Sequence, residues 1–104
     1  MQKYLLITTF LFLSLLSSAK KHHAPSFEGK VFDKVSNMPI FGAKVFIKEL
    51  NKSFYTDFDG NFSLKNVKEG TYHVVISFLS YQDVSRELTI GTNHHTAFFK
   101  LKSN

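Results

Sequence analysis

Tyr55–Leu64, YTDFDGNFSL, sets two carboxylates around a phenylalanine and puts a glycine directly after the second. Three arrangements fit those residue types: two ligands of a calcium loop, a carboxylate pair for acid/base chemistry, or the polar tip of a turn. A calcium loop of the EF-hand kind needs oxygen ligands at alternating positions, a glycine at the sixth and a glutamate at the twelfth. If Asp57 is the first ligand and Asp59 the third, Asn61 and Ser63 can follow. The glycine then stands fourth, however, and the twelfth position is Lys68, a cation where a carboxylate is required. A catalytic carboxylate pair needs a cleft and a substrate-sized gap, which hairpin tips seldom provide. The turn remains. Asp-Gly favours a tight hairpin because glycine tolerates positive φ, and aspartate carboxylates accept bonds from amides that a turn leaves unpaired. The stretch is read as a hairpin in which Asp57, Asp59 and Gly60 build the bend and Phe62 and Leu64 face inward.

Outward from this turn, apolar residues recur at every second position in short runs bounded by turn residues, the pattern of strands. Phe27–Phe32 comes first and is followed by the turn-rich DKVSNMPIFG. Ala43–Leu50 places Ala43, Val45 and Ile47 on one face and Lys44, Phe46 and Lys48 on the other. Ser53–Phe58 and Asn61–Leu64 flank the Asp-Gly pair. TYHVVISFLSY, the longest apolar run after residue 20, aligns Tyr72, Val74, Ile76 and Phe78 and reads as a central strand. DVSRELTI offers Val84, Leu88 and Ile90, and TAFFKLK offers Ala97, Phe99 and Leu101. Seven short strands at this spacing predict an all-β fold, a small seven-stranded antiparallel β-sandwich.

The start of the chain follows a different rule. Lys3 precedes an apolar run from Tyr4 to Leu16, and Ser17-Ser18-Ala19 follow. A basic start, an apolar stretch and small residues at the cleavage positions describe a helical secretory signal peptide over 1–19. Thr8, Thr9 and Ser14 interrupt the run and leave it short of the roughly 20 apolar residues a membrane span needs. Residues 20–26, KKHHAPS, read as a flexible arm, and 27–102 as one domain. With no cysteine in 104 residues, the domain is held by packing without disulfides, and no lipid is attached through an N-terminal cysteine. The formal charge of +5 is spread over scattered lysines rather than gathered on one face, which excludes a nucleic-acid footprint. After cleavage, no stable membrane insertion is expected.

Taken together, GKVFD, PIFGAKVFIK, TDFDGNFSL and VKEGTYHVVISFLSYQ resemble the carboxypeptidase regulatory-like domain, a transthyretin-like seven-stranded sandwich. The resemblance runs from about Phe27 to Ile90, and the Thr-Asp-x-Asp-Gly-x-Phe stretch is its most specific part. In one place this chain departs from the pattern: the family's glycine before the closing tyrosine is Ser80. The resemblance implies an accessory module without an activity of its own. Members of the family stand beside metallocarboxypeptidase domains or at the N-termini of TonB-dependent outer-membrane receptors. Here the expectation is a free-standing exported copy, periplasmic or secreted, with a protein partner in the cell envelope that includes outer-membrane transport machinery. No cofactor is implied.

Other chemistry finds little support in the residues. His22, His23, His73, His94 and His95 show neither His-x-x-Glu nor His-Glu-x-x-His, and adjacent histidines on a strand point to opposite faces. No metal site and no catalytic residue is expected. Transthyretin-like folds also include hydrolases of 5-hydroxyisourate, which resemble one another in a C-terminal Tyr-Arg-Gly-Ser, whereas this chain ends FFKLKSN. Phe32, Phe46 and Phe98 fall opposite the faces assigned to the core, and Val75 and Leu79 do the same in the long strand. The three phenylalanines are the candidate interaction patch, since a joined apolar surface on a soluble domain marks a contact site. The alternative is a carbohydrate- or small-ligand-binding module, which an exposed Tyr55, Tyr72 or Tyr81 beside a groove would favour.

Overall fold

The computed structural model describes residues 25–104. The signal peptide expected over 1–19, the arm up to residue 24 and with them His22 and His23 lie outside the described residues. Seven strands follow: β1 (Ser26–Asp33), β2 (Lys44–Ile47), β3 (Lys52–Tyr55), β4 (Asn61–Lys65), β5 (Gly70–Ser77), β6 (Val84–Ile90) and β7 (His95–Leu101). They form two sheets, ordered β4-β1-β7 and β3-β2-β5-β6. The all-β sandwich expected from alternation is the architecture observed. One pairing departs from it, because β1 and β7 run parallel while all others are antiparallel. A parallel pair needs a long connection, and the five intervening strands supply it.

The core lies between the sheets and is built from the alternating positions. Val31, Val45, Ile47, Val74, Ile76, Phe99 and Leu101 are fully buried, and burying a side chain such as Phe99 stabilises the fold by about 1.5–3 kcal/mol. Phe62 joins Phe27 and Phe99 with ring centroids 5.8 and 6.0 Å apart. The tip of its ring packs against Gly29, where an added Cβ would come within 2.2 Å of it. Val84, Leu88 and Ala97 are only partly buried, since they pack against the rim of the core where β6 and β7 form the sheet edges. Arg86 closes that side. Its guanidinium sits 4.3 Å from the Phe99 ring centroid and donates to the Phe98 carbonyl at 2.9 Å.

Two expectations need correction. The flanks of YTDFDGNFSL do not pair with each other: β3 belongs to one sheet and β4 to the other. The tight turn forms, with the Asp57 amide donating to the Asn61 carbonyl and the Gly60 amide to the Asp57 carbonyl. Beyond it the chain is taken up by other neighbours and becomes an arch across the sandwich. Phe78, assigned to the core, is exposed because β5 ends at Ser77 and the chain turns through Ser80 at φ 69°. Ser80 therefore adopts the left-handed conformation that the family's glycine would favour.

Candidate functional site

The arch and its neighbouring loops gather at one end of the sandwich, where the β1–β2, β3–β4 and β5–β6 connections and the end of β7 meet. Thr56 is the only buried polar residue described. Its hydroxyl accepts from the Ala43 amide at 2.8 Å and donates to the Ile40 carbonyl at 2.6 Å, so the arch holds the β1–β2 loop. Gly60 is packed against β1. Its carbonyl accepts from the Val31 amide at 2.9 Å, and a Cβ at its φ of +76° would stand 2.6 Å from the Val31 carbonyl oxygen. Asp57 Oδ1 accepts from the amides of Asp59 and Asn61. Asp59, expected to share this role, makes no side-chain hydrogen bond among the described residues, so Asp57 alone organises the bend.

A second tie joins the β5–β6 loop to β1. The Tyr81 hydroxyl donates to Asp33 Oδ2 at 2.6 Å, and the other Asp33 oxygen accepts from the amides of Val35 and Ser36. The Tyr81 bond first, then those amides, hold the Asp33 carboxyl at about 2, below the usual 3.8. The same bond raises the Tyr81 phenol above 10. The Gln82 amide bonds to Lys102 and the Asn104 amide to Ser80, which brings the chain's last residues to the same end.

On this fastened frame stand apolar side chains that face water. Phe58 is 80% exposed at the tip of the arch, and its ring stacks on Phe41 at 4.3 Å and 8°. Phe78 flanks Gly42 next to them, with Tyr81 5.9 Å away. Leu79 is 86% exposed, and Val35 and Met38 on the β1–β2 loop are exposed as well. Alternation along the long apolar run sets Leu79 outward but Phe78 inward, and the other four lie in loops, where there is no alternation to read. The one signal was apolar residues inside otherwise polar turns, such as Phe58 between two aspartates.

The structure splits the patch expected from Phe32, Phe46 and Phe98. Phe32 and Phe98 stack at 6.0 Å on the outer face of β4-β1-β7, whereas Phe46 lies partly buried on the outer face of the opposite sheet. Alternation told inside from outside but not which sheet a strand would join. Phe98 instead shares a groove of about 510 Å3 with Tyr55, Asp57, Asn61 and Ser63. Tyr55 is 65% exposed there.

The described histidines, His73, His94 and His95, share no common centre. His73 Nδ1 lies 2.5 Å from Glu49 Oε2 and its Nε2 is 3.5 Å from Glu87, so the two carboxylates flank opposite edges of the ring rather than converging on one point. The hydrogen bond to Glu49 raises His73 above 6.5. In turn the His73 amide and then its ring hold Glu49 at about 2. His94 bonds Ser26 Oγ at 2.8 Å, and His95 Nε2 accepts from the Gly91 amide at 3.0 Å. Among the described residues no group of three or more His, Cys, Asp or Glu is arranged to hold a metal ion.

Solved structures share this fold at low identity. A group B streptococcus pilus 2b backbone protein matches with a TM-score of 0.67 and 18% identity over 78% of this chain and 42% of its own. A DUF3823 family protein from Bacteroides uniformis gives 0.62 and 19% over 77% and 43%. A type II cohesin–X-dockerin complex from Acetivibrio cellulolyticus gives 0.61 and 22% over 75% and 57%. The chain thus spans about half the length of these neighbours. No curated protein sequence matches it. A family profile described as CarboxypepD_reg-like domain matches residues 27–104, which is the full sandwich, arch and fastened loops included, and the chain belongs to that family.

Proposed function

We propose that this protein is a non-enzymatic, exported β-sandwich module that works by protein contact or structural support in the cell envelope, in association with outer-membrane transport machinery. One observation carries the reading: exposed apolar side chains concentrate on loops that buried hydrogen bonds hold in place. Exposed loops with apolar tips cost solubility, and on the order of several hundred Å2 of joined apolar surface marks a contact site on a soluble domain. The fastening matters equally, since a preorganised surface loses less entropy on docking. The names of two fold neighbours, a pilus backbone protein and a cohesin–dockerin complex, are those of assembling proteins and agree with this reading.

The test is the Phe41→Ser/Phe58→Ser double variant, expressed in cells and cross-linked there. Both rings are exposed, so the melting temperature should stay near that of the parent while a defined cross-linked adduct disappears. An unchanged adduct in a folded variant would overturn the reading. A second reading, a carbohydrate- or small-ligand-binding module, is favoured by Tyr55 standing exposed beside the Phe98 groove. It requires Tyr55→Ala to abolish oligosaccharide-induced shifts in the NMR spectrum.

A further inference from the structure

The two lateral sides of the sandwich are not alike. Arg86 closes the side formed by β6 and β7, whereas on the other side the edge strands β3 and β4 leave a furrow of about 480 Å3. Its apolar floor includes Leu50, Phe54, Leu64 and Tyr72, and the charged residues along it are Lys52, Lys65 and Lys68. Among the described residues no carboxylate lines this stretch.

The backbone of β4 faces the furrow with groups to offer. In an antiparallel pair, hydrogen-bonded positions alternate along each strand. Because the Gly60 carbonyl accepts from the Val31 amide, the register that sets Phe62 opposite Gly29 and Leu64 opposite Phe27 directs the backbone groups of 62 and 64 to β1. Those of Asn61, Ser63 and Lys65 therefore point away. Asn61 is already engaged, its amide by the Asp57 carboxylate and its carbonyl by the Asp57 amide. Ser63 and Lys65 have no backbone partner among the described residues and keep one donor and one acceptor each.

We infer that this edge takes up an acidic extended segment of a partner protein, which adds as a strand to β4 along Ser63 and Lys65. Main-chain bonds supply affinity in strand addition, and alternate side chains supply selectivity. Here one set of partner side chains lies on the apolar floor while carboxylates on the other set meet Lys52, Lys65 and Lys68. Lysines on an edge also serve to repel strand pairing, and a pure guard admits no peptide of either charge. The furrow lies apart from Phe41 and Phe58, so this inference and the proposed function can fail independently.

The probe is an eight-residue peptide alternating valine and glutamate, titrated into 15N-labelled protein, with a valine–lysine peptide as its counterpart. Binding of the acidic peptide should slow hydrogen exchange at the Ser63 and Lys65 amides at least about tenfold, weaken with salt and be absent for the lysine peptide. Ser63→Pro removes an outward amide that an edge strand tolerates losing and should abolish binding. Lys65→Glu/Lys68→Glu, which leaves the backbone intact, should do the same, while Phe41→Ser/Phe58→Ser should leave it unchanged. No binding at millimolar peptide, equal binding of both peptides, or binding without protection at Ser63 and Lys65 would each overturn the inference.

Discussion

The two ends of the sandwich solve the same problem, returning the chain from one strand to the next, in different ways. At the end formed by the β2–β3, β4–β5 and β6–β7 turns, the ties between segments are backbone bonds and exposed polar groups: the Lys48 amide donates to the His73 carbonyl, the Val67 amide to the Pro25 carbonyl, and the Glu49 carboxylate accepts from the His73 amide. Asn51 and Asn66 take left-handed conformations, the Asn51 amide bonds to the Lys48 carbonyl three residues earlier, and the side chains are mainly polar. At the other end the ties run through buried and part-buried side chains and a packed glycine. Thr56 reaches Ile40 and Ala43, Gly60 reaches Val31, and Tyr81 reaches Asp33. The bonds at the second end fix loops that carry Phe41, Phe58 and Leu79 into water, and the proposed contact role rests on that difference.

Changes that unfasten the second end should therefore cost more than any at the turns. Gly60→Ala has the largest expected effect, since a Cβ would press on the Val31 carbonyl in a strained conformation; a loss of about 3–4 kcal/mol in urea unfolding is expected. Thr56→Val keeps the shape but strands the Ala43 amide and Ile40 carbonyl, for about 2–4 kcal/mol. Asp57→Ala loses two amide bonds at an exposed turn, for about 0.5–2 kcal/mol, while Asp59→Ala should fall within about 0.5 kcal/mol of the parent. Equal costs for these two would show that the bend is built differently.

Two smaller effects sharpen the contrast. Ser80→Gly relieves a left-handed serine and should raise stability by about 0.5–1 kcal/mol. At the polar end, the Glu49–His73 pair brings a pH dependence. The depressed Glu49 contributes fully above 4.5 and is lost as pH falls toward 2; the raised His73 contributes fully below 6.5 and is lost as pH climbs through its raised value. Both ions are well exposed, so the gain is small. Melting curves of Glu49→Gln and parent should differ most between pH 4.5 and 6.5, and NMR titration should find the His73 pKa lowered in the variant.

The sequence made the sandwich legible where burial alternates, as in Val45 and Ile47 or Val74 and Ile76. It did not distinguish hairpin from arch at Asp59-Gly60, since the same tight turn serves both and only the distant bonds of Thr56 and Gly60 decide. The proposed contact surface was hidden for a related reason. Alternation assigns a strand residue to a face, so it grouped Phe46 with Phe32 and Phe98 although their sheets face opposite ways, and it is silent about Phe41 and Phe58 in loops.

The most direct test places a photo-reactive residue in turn at Val35, Phe58 and Leu79 on one end and at Asn51, Asn66 and Thr92, the last in the β6–β7 turn, on the other, with cross-linking in intact cells. Adducts to a common partner from the first three positions and none from the second three are the expected result. Adducts spread evenly over both ends, or confined to the polar turns, would contradict the assignment of function to the fastened end.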